Sequence, residues 1–332
     1  MPACPVCSGT SFTRLVSAED LEAECQVREA FVKQRLDRPA HSEELKDLTD
    51  FFHNERADLM TCHECTLLIR RAHEQPSAEE YSEDSYDPAL MERLYPRYVE
   101  AFRGKENAYR HLLPAGAKVL EIGSHYGAFL QTAAEWGWQA EGVDVGRDTS
   151  HFAQLKGFTV HVAELEELPF PTASFEGVFI WNCFEQMDNP RPTLETSRRI
   201  VKPGGLLVVR TPNGLFYSLC RRLFQDAGLQ DGAREFLVET LGYNNLLGFP
   251  YLYGHNRATL EHLIEPFGFA FGGILNSELL TLPLPEHAAW VEREKRAINA
   301  EMRMLANSVI ADTSGAATGP WIEMWFRAAR TA

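Results

Sequence analysis

Apolar positions recur along this chain with two periods, and the switches between them mark its elements. Lys118 to Ile122 is a short, nearly continuous apolar run, the signature of a buried strand. Gly123 to Gly127 is a turn bracketed by glycines, and Ala128 to Trp136 carries apolar residues at helical spacing. Gln139 to Val143 reads as a second strand, closed by Asp144. Elsewhere the period is helical. Leu21, Val27, Phe31 and Leu36 predict one helix near the start, and Leu45, Leu48, Phe51 and Phe52 a second. Further helices are predicted over Pro88 to Leu113, Phe216 to Gln225, Arg257 to Pro266 and Glu286 to Ile310. Phe267 to Ile274 and Trp321 to Arg327 read as strands.

The step from Lys118 to Asp144 is a β-α-β unit, the ligand-binding end of a Rossmann-like sheet. Glycine lets a backbone approach a ligand closely. A carboxylate at the end of the second strand can accept hydrogen bonds from both ribose hydroxyls. Glu121 and Asp144 lie 23 residues apart, close to one such step. An adenosine-bearing cofactor is expected. The dinucleotide fingerprint needs a third glycine in G-x-G-x-x-G, where the pyrophosphate meets bare backbone at a helix start. This chain has Glu121-x-Gly123-x-x-x-Gly127, with Ser124 and then His125 and Tyr126, which would crowd a pyrophosphate. A nicotinamide oxidoreductase is therefore the weaker reading.

Further stretches follow in order: Ala163 to Phe170 (Ala-Glu-Leu-Glu-Glu-Leu-Pro-Phe), Phe175 to Asn182, Cys183 to Pro190, and Ile200 to Val209 with Thr211-Pro-Asn213. Together with the β-α-β step, over residues 110–275, they resemble the class I S-adenosylmethionine-dependent methyltransferases acting on small molecules. The resemblance implies an α/β fold, a Rossmann-like seven-stranded sheet with helices on both faces. It implies that Glu121 and Gly123 line the methionine part of S-adenosylmethionine, with Ser124, His125 and Gly127 in the same turn. Asp144 would take the ribose, Glu164 the adenine amino group and Leu165 the ring. Asn182 and Cys183 would lie beneath the transferred methyl. Many relatives have Glu-His where this chain has Glu185-Gln186, and Glu185 reads as a helix-start acid.

Cys4-Pro-Val-Cys7 and Cys62-His-Glu-Cys65 are two C-x-x-C knuckles, the ligand pattern of a structural tetrahedral zinc site. The 54 residues between them are long for a simple ribbon, and the helical pattern there predicts a zinc ribbon with a helical insertion. His53 and His63 are further candidates, but four sulfurs already close such a site. This head, an acidic tyrosine-containing linker (Glu79 to Tyr86) and the core together resemble many bacterial methyltransferases. The expected organisation is a zinc module over 1–75, a helical linker over 76–113 and a methyltransferase domain over 114–332, with a substrate-lining insertion at about 214–256.

Composition narrows the function. The chain has 332 residues, 45% hydrophobic, and a formal charge of −15. Such a charge disfavours broad contact with nucleic-acid phosphates. No apolar run reaches membrane-spanning length, the start lacks a signal-peptide core, and seven cysteines suit metal or free thiols in a cytoplasmic protein. Gly242 to Asn256 is rich in aromatic and amide residues, as acceptor pockets are. Tyr243, Asn244, Asn245, Tyr251 and Tyr253 are its candidate substrate contacts. An oxygen or carbon acceptor must also lose a proton, and His125 and His255 are the candidate bases. The leading expectation is methyl transfer to a small hydroxylated acceptor such as a natural-product intermediate or a nucleotide-linked sugar, with the Glu286–Ile310 helix serving either the core or a homodimer contact. The alternatives are an RNA methyltransferase gripping RNA through its zinc head, and a non-catalytic cofactor-binding protein.

Overall fold

The computed structural model describes residues 3–35, 57–70, 87–226, 228–280, 289–309 and 317–330. The predicted second helix around Phe51, His53 and the acidic linker at Glu79–Tyr86 lie outside these residues.

Two compact units emerge, each made of three stretches of the chain. One comprises Gln75–Arg210, Glu261–Ile274 and Glu323–Ala332; the other comprises Met1–Glu74, Thr211–Leu260 and Leu275–Ile322.

The second of these, the head unit, begins with β1 (Phe12–Val16) and α1 (Ala18–Gln34). Ser17 caps α1 by accepting from the Asp20 amide at 3.1 Å. β2 (Leu59–Cys62) and β3 (Leu68–Arg70) complete an antiparallel ribbon with β1.

In the cofactor unit, Asp87 caps α2 (Pro88–Arg103) by accepting from the Ala89 amide, with proline at the favoured first position. The predicted helix to Leu113 ends at Gly104 instead, and two short turns carry the chain on. Then come β4 (Lys118–Ile122), α3 (Ala128–Glu135), β5 (Gln139–Asp144), α4 (Arg147–Leu155), β6 (Thr159–Val162) and β7 (Phe175–Ile180). α5 (Arg191–Ile200) leads into β8 (Val201–Pro212).

Back in the head unit, α6 (Gly214–Phe224), α7 (Asp231–Tyr243) and β9 (Tyr253–Gly254) form the insertion. β9 pairs antiparallel with β3, Tyr253 opposite Ile69 and Gly254 opposite Leu68, which extends the head's ribbon to four strands. Its core gathers Val16, Leu21 and Leu59 from the head, Phe216, Leu241 and Phe249 from the insertion, and Met302 and Trp321 from further on. α8 (Arg257–Ile264), β10 (Phe269–Ser277), α9 (Ala289–Val309) and β11 (Trp321–Ala328) close the chain. β10 starts two residues later than expected because Gly268, at φ +83°, ends the preceding turn in the left-handed region.

The seven-stranded sheet runs β10-β11-β8-β7-β4-β5-β6. Strands β8, β7, β4, β5 and β6 are mutually parallel. The order reverses between β4 and β7: from β4 the chain moves outward to β5 and β6, then returns to β7 on β4's other side. Open α/β sheets bind ligands at the carboxyl ends of the strands at such a reversal. The fold is the expected Rossmann-like methyltransferase sheet. Among the described residues no helix is long and apolar enough to cross a membrane.

Candidate cofactor site and cysteine cluster

The carboxyl ends of β4, β5 and β7 bring together most of the residues singled out for cofactor binding. Glu121 and Ile122 end β4, and Gly123 turns away at φ +72°. A Cβ at Gly123 would come within 2.6 Å of the Cys183 sulfur, so no other residue fits against the end of β7. The Gly123 and Ser124 amides both donate to the Val143 carbonyl, at 2.8 and 3.2 Å, which ties the turn to β5. Gly142 leaves room beneath it: a Cβ there would strike the Ser124 hydroxyl.

Asp144 holds the other side of the turn. One carboxylate oxygen accepts from the His125 amide at 2.7 Å, the other from the Gly146 amide at 2.8 Å. Each carboxylate oxygen has two lone-pair sites, so capacity for ribose hydroxyls is left. His125 itself sits at φ +47°, strained for a residue with a Cβ, and its ring lies 3.7 Å from the Tyr126 ring. Gly127, at φ +73°, opens α3, where a Cβ would meet Ala153.

Burial sets the electrostatics. Glu121 is buried, which together with the nearby Asp144 raises its pKa well above the usual carboxylate range. Burial raises Asp144 too, against the two amides that favour its charge. The Cys183 thiol, donating to the Ile122 carbonyl at 3.4 Å, is pushed well up by burial and by Glu185, Asp144, Glu121 and Glu164. Glu164 precedes the short turn Leu165–Glu167, with Leu165 buried and Glu164 at the surface. Asn182 accepts from Arg210, whose guanidinium also faces the buried Glu323.

Among the described residues, three buried groups at this site lack a hydrogen-bond partner: Glu121 Oε2, Ser124 Oγ, and both carboxylate oxygens of Glu185. Such orphans are rare in proteins, and a polar ligand removes the cost. Glu185 is the one that reasoning from sequence passed over. It is 1% exposed in the turn after β7, and burial, against the pull of Arg210, raises it to about 8. A helix-start acid would face solvent. The sequence hint of burial is the apolar Phe184 and Met187 that flank Glu185-Gln186.

The two candidate bases belong to different units. His125 is held neutral, its pKa lowered to about 4 by burial. His255 is 1% exposed, accepts at its carbonyl from the Gly214 amide at 2.7 Å, and is lowered by burial to about 3. In the insertion, Tyr243 and Asn244 are wholly buried and engaged. The Tyr243 hydroxyl accepts from Arg35 Nε at 2.8 Å and donates to Glu294. Asn244 donates to the Thr240 carbonyl and to Asn299, both at 2.8 Å, and accepts from the Leu279 amide at 3.2 Å. Asn245 donates to the Tyr251 hydroxyl at 3.0 Å, while Tyr253 lies in β9.

In the head, the sulfurs of Cys4, Cys7, Cys62 and Cys65 all lie within 4.8 Å of one another. Ser8 and Thr66, the residues after each knuckle, both sit at φ +62°, and each amide folds back on the first cysteine's carbonyl, at 2.9 Å. Two matching turns thus aim four thiols at one centre, a donor set that suits a tetrahedral metal ion. His63 is turned away, its ring bonded to Ser11 and Thr13.

Comparison with known proteins agrees with the fold. A model of the methyltransferase domain matches residues 89–270, more than half of the chain, beginning beyond the cysteine knuckles. An uncharacterized protein of Methanocaldococcus jannaschii is 30% identical over 133 residues, covering 40% of this chain and 58% of its own length. The demethylmenaquinone methyltransferase of Tropheryma whipplei is 33% identical over 99 residues, covering 29% and 41%. A ubiquinone biosynthesis O-methyltransferase of Xanthomonas oryzae is 29% identical over 106 residues, covering 30% and 44%. The chain spans about half the length of these curated relatives. A sheet that reverses at β4 and β7, a glycine turn tied to Asp144 and a match across more than half of its length place this chain in the methyltransferase-domain family.

Proposed function

We propose that the protein transfers a methyl group from S-adenosylmethionine to a hydroxyl of a small acceptor, and that its cysteine cluster holds a structural zinc ion. The observation that carries the first reading is the glycine turn: Gly123 leaves bare backbone at the strand reversal, with the orphaned Glu121 and Ser124 oxygens beside it. Bound there, S-adenosylmethionine supplies an electrophilic methyl on a sulfonium for in-line substitution. Glu121, Gly123 and Ser124 hold its methionine part, Asp144 its ribose, and Glu164 with Leu165 its adenine. Asn182 and Cys183 line the reacting end. Cys183 stays a thiol and so does not compete as a nucleophile.

The protein's own share of the work is orientation and one proton. His125 and His255 are neutral, but rings lowered to about 4 and 3 are weak bases. Glu185, poised at about 8, is better matched to accept the acceptor's proton. One relative, named as a ubiquinone biosynthesis O-methyltransferase, fits a hydroxyl acceptor. Within the head unit, Tyr243 and Asn244 brace the loop that carries Asn245, Tyr251 and Tyr253. A cytoplasmic setting is part of the same proposal, and the oligomeric state, monomer or homodimer, is left open by it. Calorimetric titration with S-adenosylmethionine and with NAD tests the cofactor: micromolar binding of the first alone, weakened by Asp144→Ala, is expected. Preference for NAD would overturn the reading. Metal analysis of the purified protein tests the zinc, with one ion per chain expected.

A further inference from the structure

α9 has two faces, and the core uses one of them. Val291, Lys295, Ile298, Asn299 and Met302 are buried and follow one another at helical spacing. Val291 and Ile298 pack with Phe31 and Tyr243, and Met302 joins the larger head core. Lys295 donates to the Leu279 carbonyl at 3.3 Å, so the charge on this face has an acceptor.

The opposite face is exposed, yet its middle is apolar. Trp290, Ala297 and Met304 recur every seventh residue, and Ala300 lies one turn from each of the last two. Trp290 is 44% exposed and Met304 67%. Large apolar side chains lined up on the wet side of a helix mark a surface that a partner covers. Arg293 interrupts the stripe, but an arginine stem lies over apolar neighbours while its head reaches water. Asn307, accepting from the Thr318 hydroxyl, ends it.

Charge is sorted across the same face. At about 100° per residue, Arg296 and Arg303 fall along one edge of the stripe, and Glu294 and Glu301 along the other. Glu294 is tied to Arg35, whereas Arg296, Arg303 and Glu301 form no ion pair among the described residues. Flanking positions of a seven-residue seam set partner choice and orientation. An antiparallel pair of α9 helices would oppose like charges along both edges. A two-fold axis running along the helices instead brings each basic edge to an acidic one.

We infer that α9 joins two copies of this chain, paired parallel through Trp290, Ala297, Ala300 and Met304, with Arg296 against the partner's Glu301. The charge pattern complements itself, which selects a second copy over an unlike protein. From Trp290 to Met304 the stripe runs about 21 Å, which is small for a stable interface, so a reversible dimer with a dissociation constant of about 1–100 µM is expected. The surface lies on the head unit and does not depend on methyl transfer.

The test is sedimentation equilibrium of the full chain at loading concentrations from about 1 to 200 µM. A monomer–dimer equilibrium is expected. Ala297→Glu places a charge in the middle of the stripe and should weaken pairing at least about tenfold without lowering the melting temperature, because Ala297 is exposed. Arg296→Glu and Glu301→Arg should each weaken self-pairing about three- to tenfold. An equimolar mixture of those two variants should pair about as tightly as the wild type, since every edge contact again joins opposite charges. Should Ala297→Glu fail to fold, these charge reversals decide. A wild type that stays monomeric throughout leaves the stripe to another partner and overturns the inference. So does a dimer that Ala297→Glu leaves intact, or one whose charge-reversed variants pair with themselves as tightly as with each other.

Discussion

The two units of this chain reach stability by opposite routes. In the cofactor unit, β4, α3, β5, α4 and β6 follow one another without interruption, and each strand pairs with one nearby in sequence. The head unit joins three distant stretches. Tyr253 and Gly254 complete a ribbon whose other strands end by residue 70, and Arg35 is paired with Glu239 and Glu294. Local assembly costs little loop entropy; distant joins cost more and are held by specific anchors. The difference teaches where function and fragility lie. The cofactor unit presents a ligand site built from strand ends of one continuous stretch, whereas the head unit depends on a few ion pairs, a strand pair and four cysteines.

The largest expected effect tests that dependence. Removing the proposed zinc with a chelator, or Cys62→Ser, should destabilise the head unit by several kcal/mol, since structural zinc sites contribute roughly 10 kcal/mol or more of apparent binding energy. Limited proteolysis should then cut within residues 3–70 before it cuts within β4 to β7. Simultaneous cleavage of both regions would break the comparison. Next in size, Glu185→Gln should lower kcat by about 10²- to 10⁴-fold while leaving the affinity for S-adenosylmethionine within about threefold. Undiminished turnover would remove Glu185 from the chemistry.

Asp144→Ala should weaken S-adenosylmethionine binding about ten- to a hundredfold, since the ribose acceptor is lost and the His125 and Gly146 amides are set free. Gly123→Ala should lower the melting temperature by several degrees, about 1–2 kcal/mol, through the left-handed backbone and the contact with Cys183. The smallest effect is a slope. Glu185 is raised in the folded state, so between its unfolded value near 4.5 and about 8 the folded protein binds more protons than the unfolded chain. Stability should therefore fall as pH rises through that window. Glu185→Gln should flatten this part of the curve in chemical denaturation, and an unchanged slope would show that the burial of Glu185 is relieved.

The same contrast explains what the sequence discloses. Lys118 to Asp144 is legible because its strand, turn, helix and strand carry their own periods and glycines, and β4 and β5 fall where those predict. The knuckles are legible because C-x-x-C spacing is itself geometric, and the two pairs do meet. By contrast α7, over Asp231–Tyr243, has too weak a stripe to stand out, its apolar side being set by partners such as Phe31 far away in the chain. The pairing of β9 with β3 has no local signature, because two residues cannot show a period. Tyr243 and Asn244 read as pocket residues, yet in a core made of distant pieces they satisfy buried polar groups. Glu185 and Arg28 are charges in apolar surroundings, and only tertiary burial distinguishes them from surface residues.

The pairing of Tyr253 with Ile69 also bears on inheritance. A cysteine-knuckle head that ended at residue 70 could be traded between proteins as a cassette. This one borrows its fourth strand from the far side of the methyltransferase core's first five strands. A chimera cut at residue 75 would leave β3 with an open edge, and a deletion of 214–256 would do the same from the other end. Head and insertion are thus expected to have been gained, kept or lost together, a single graft entered at two points of the gene.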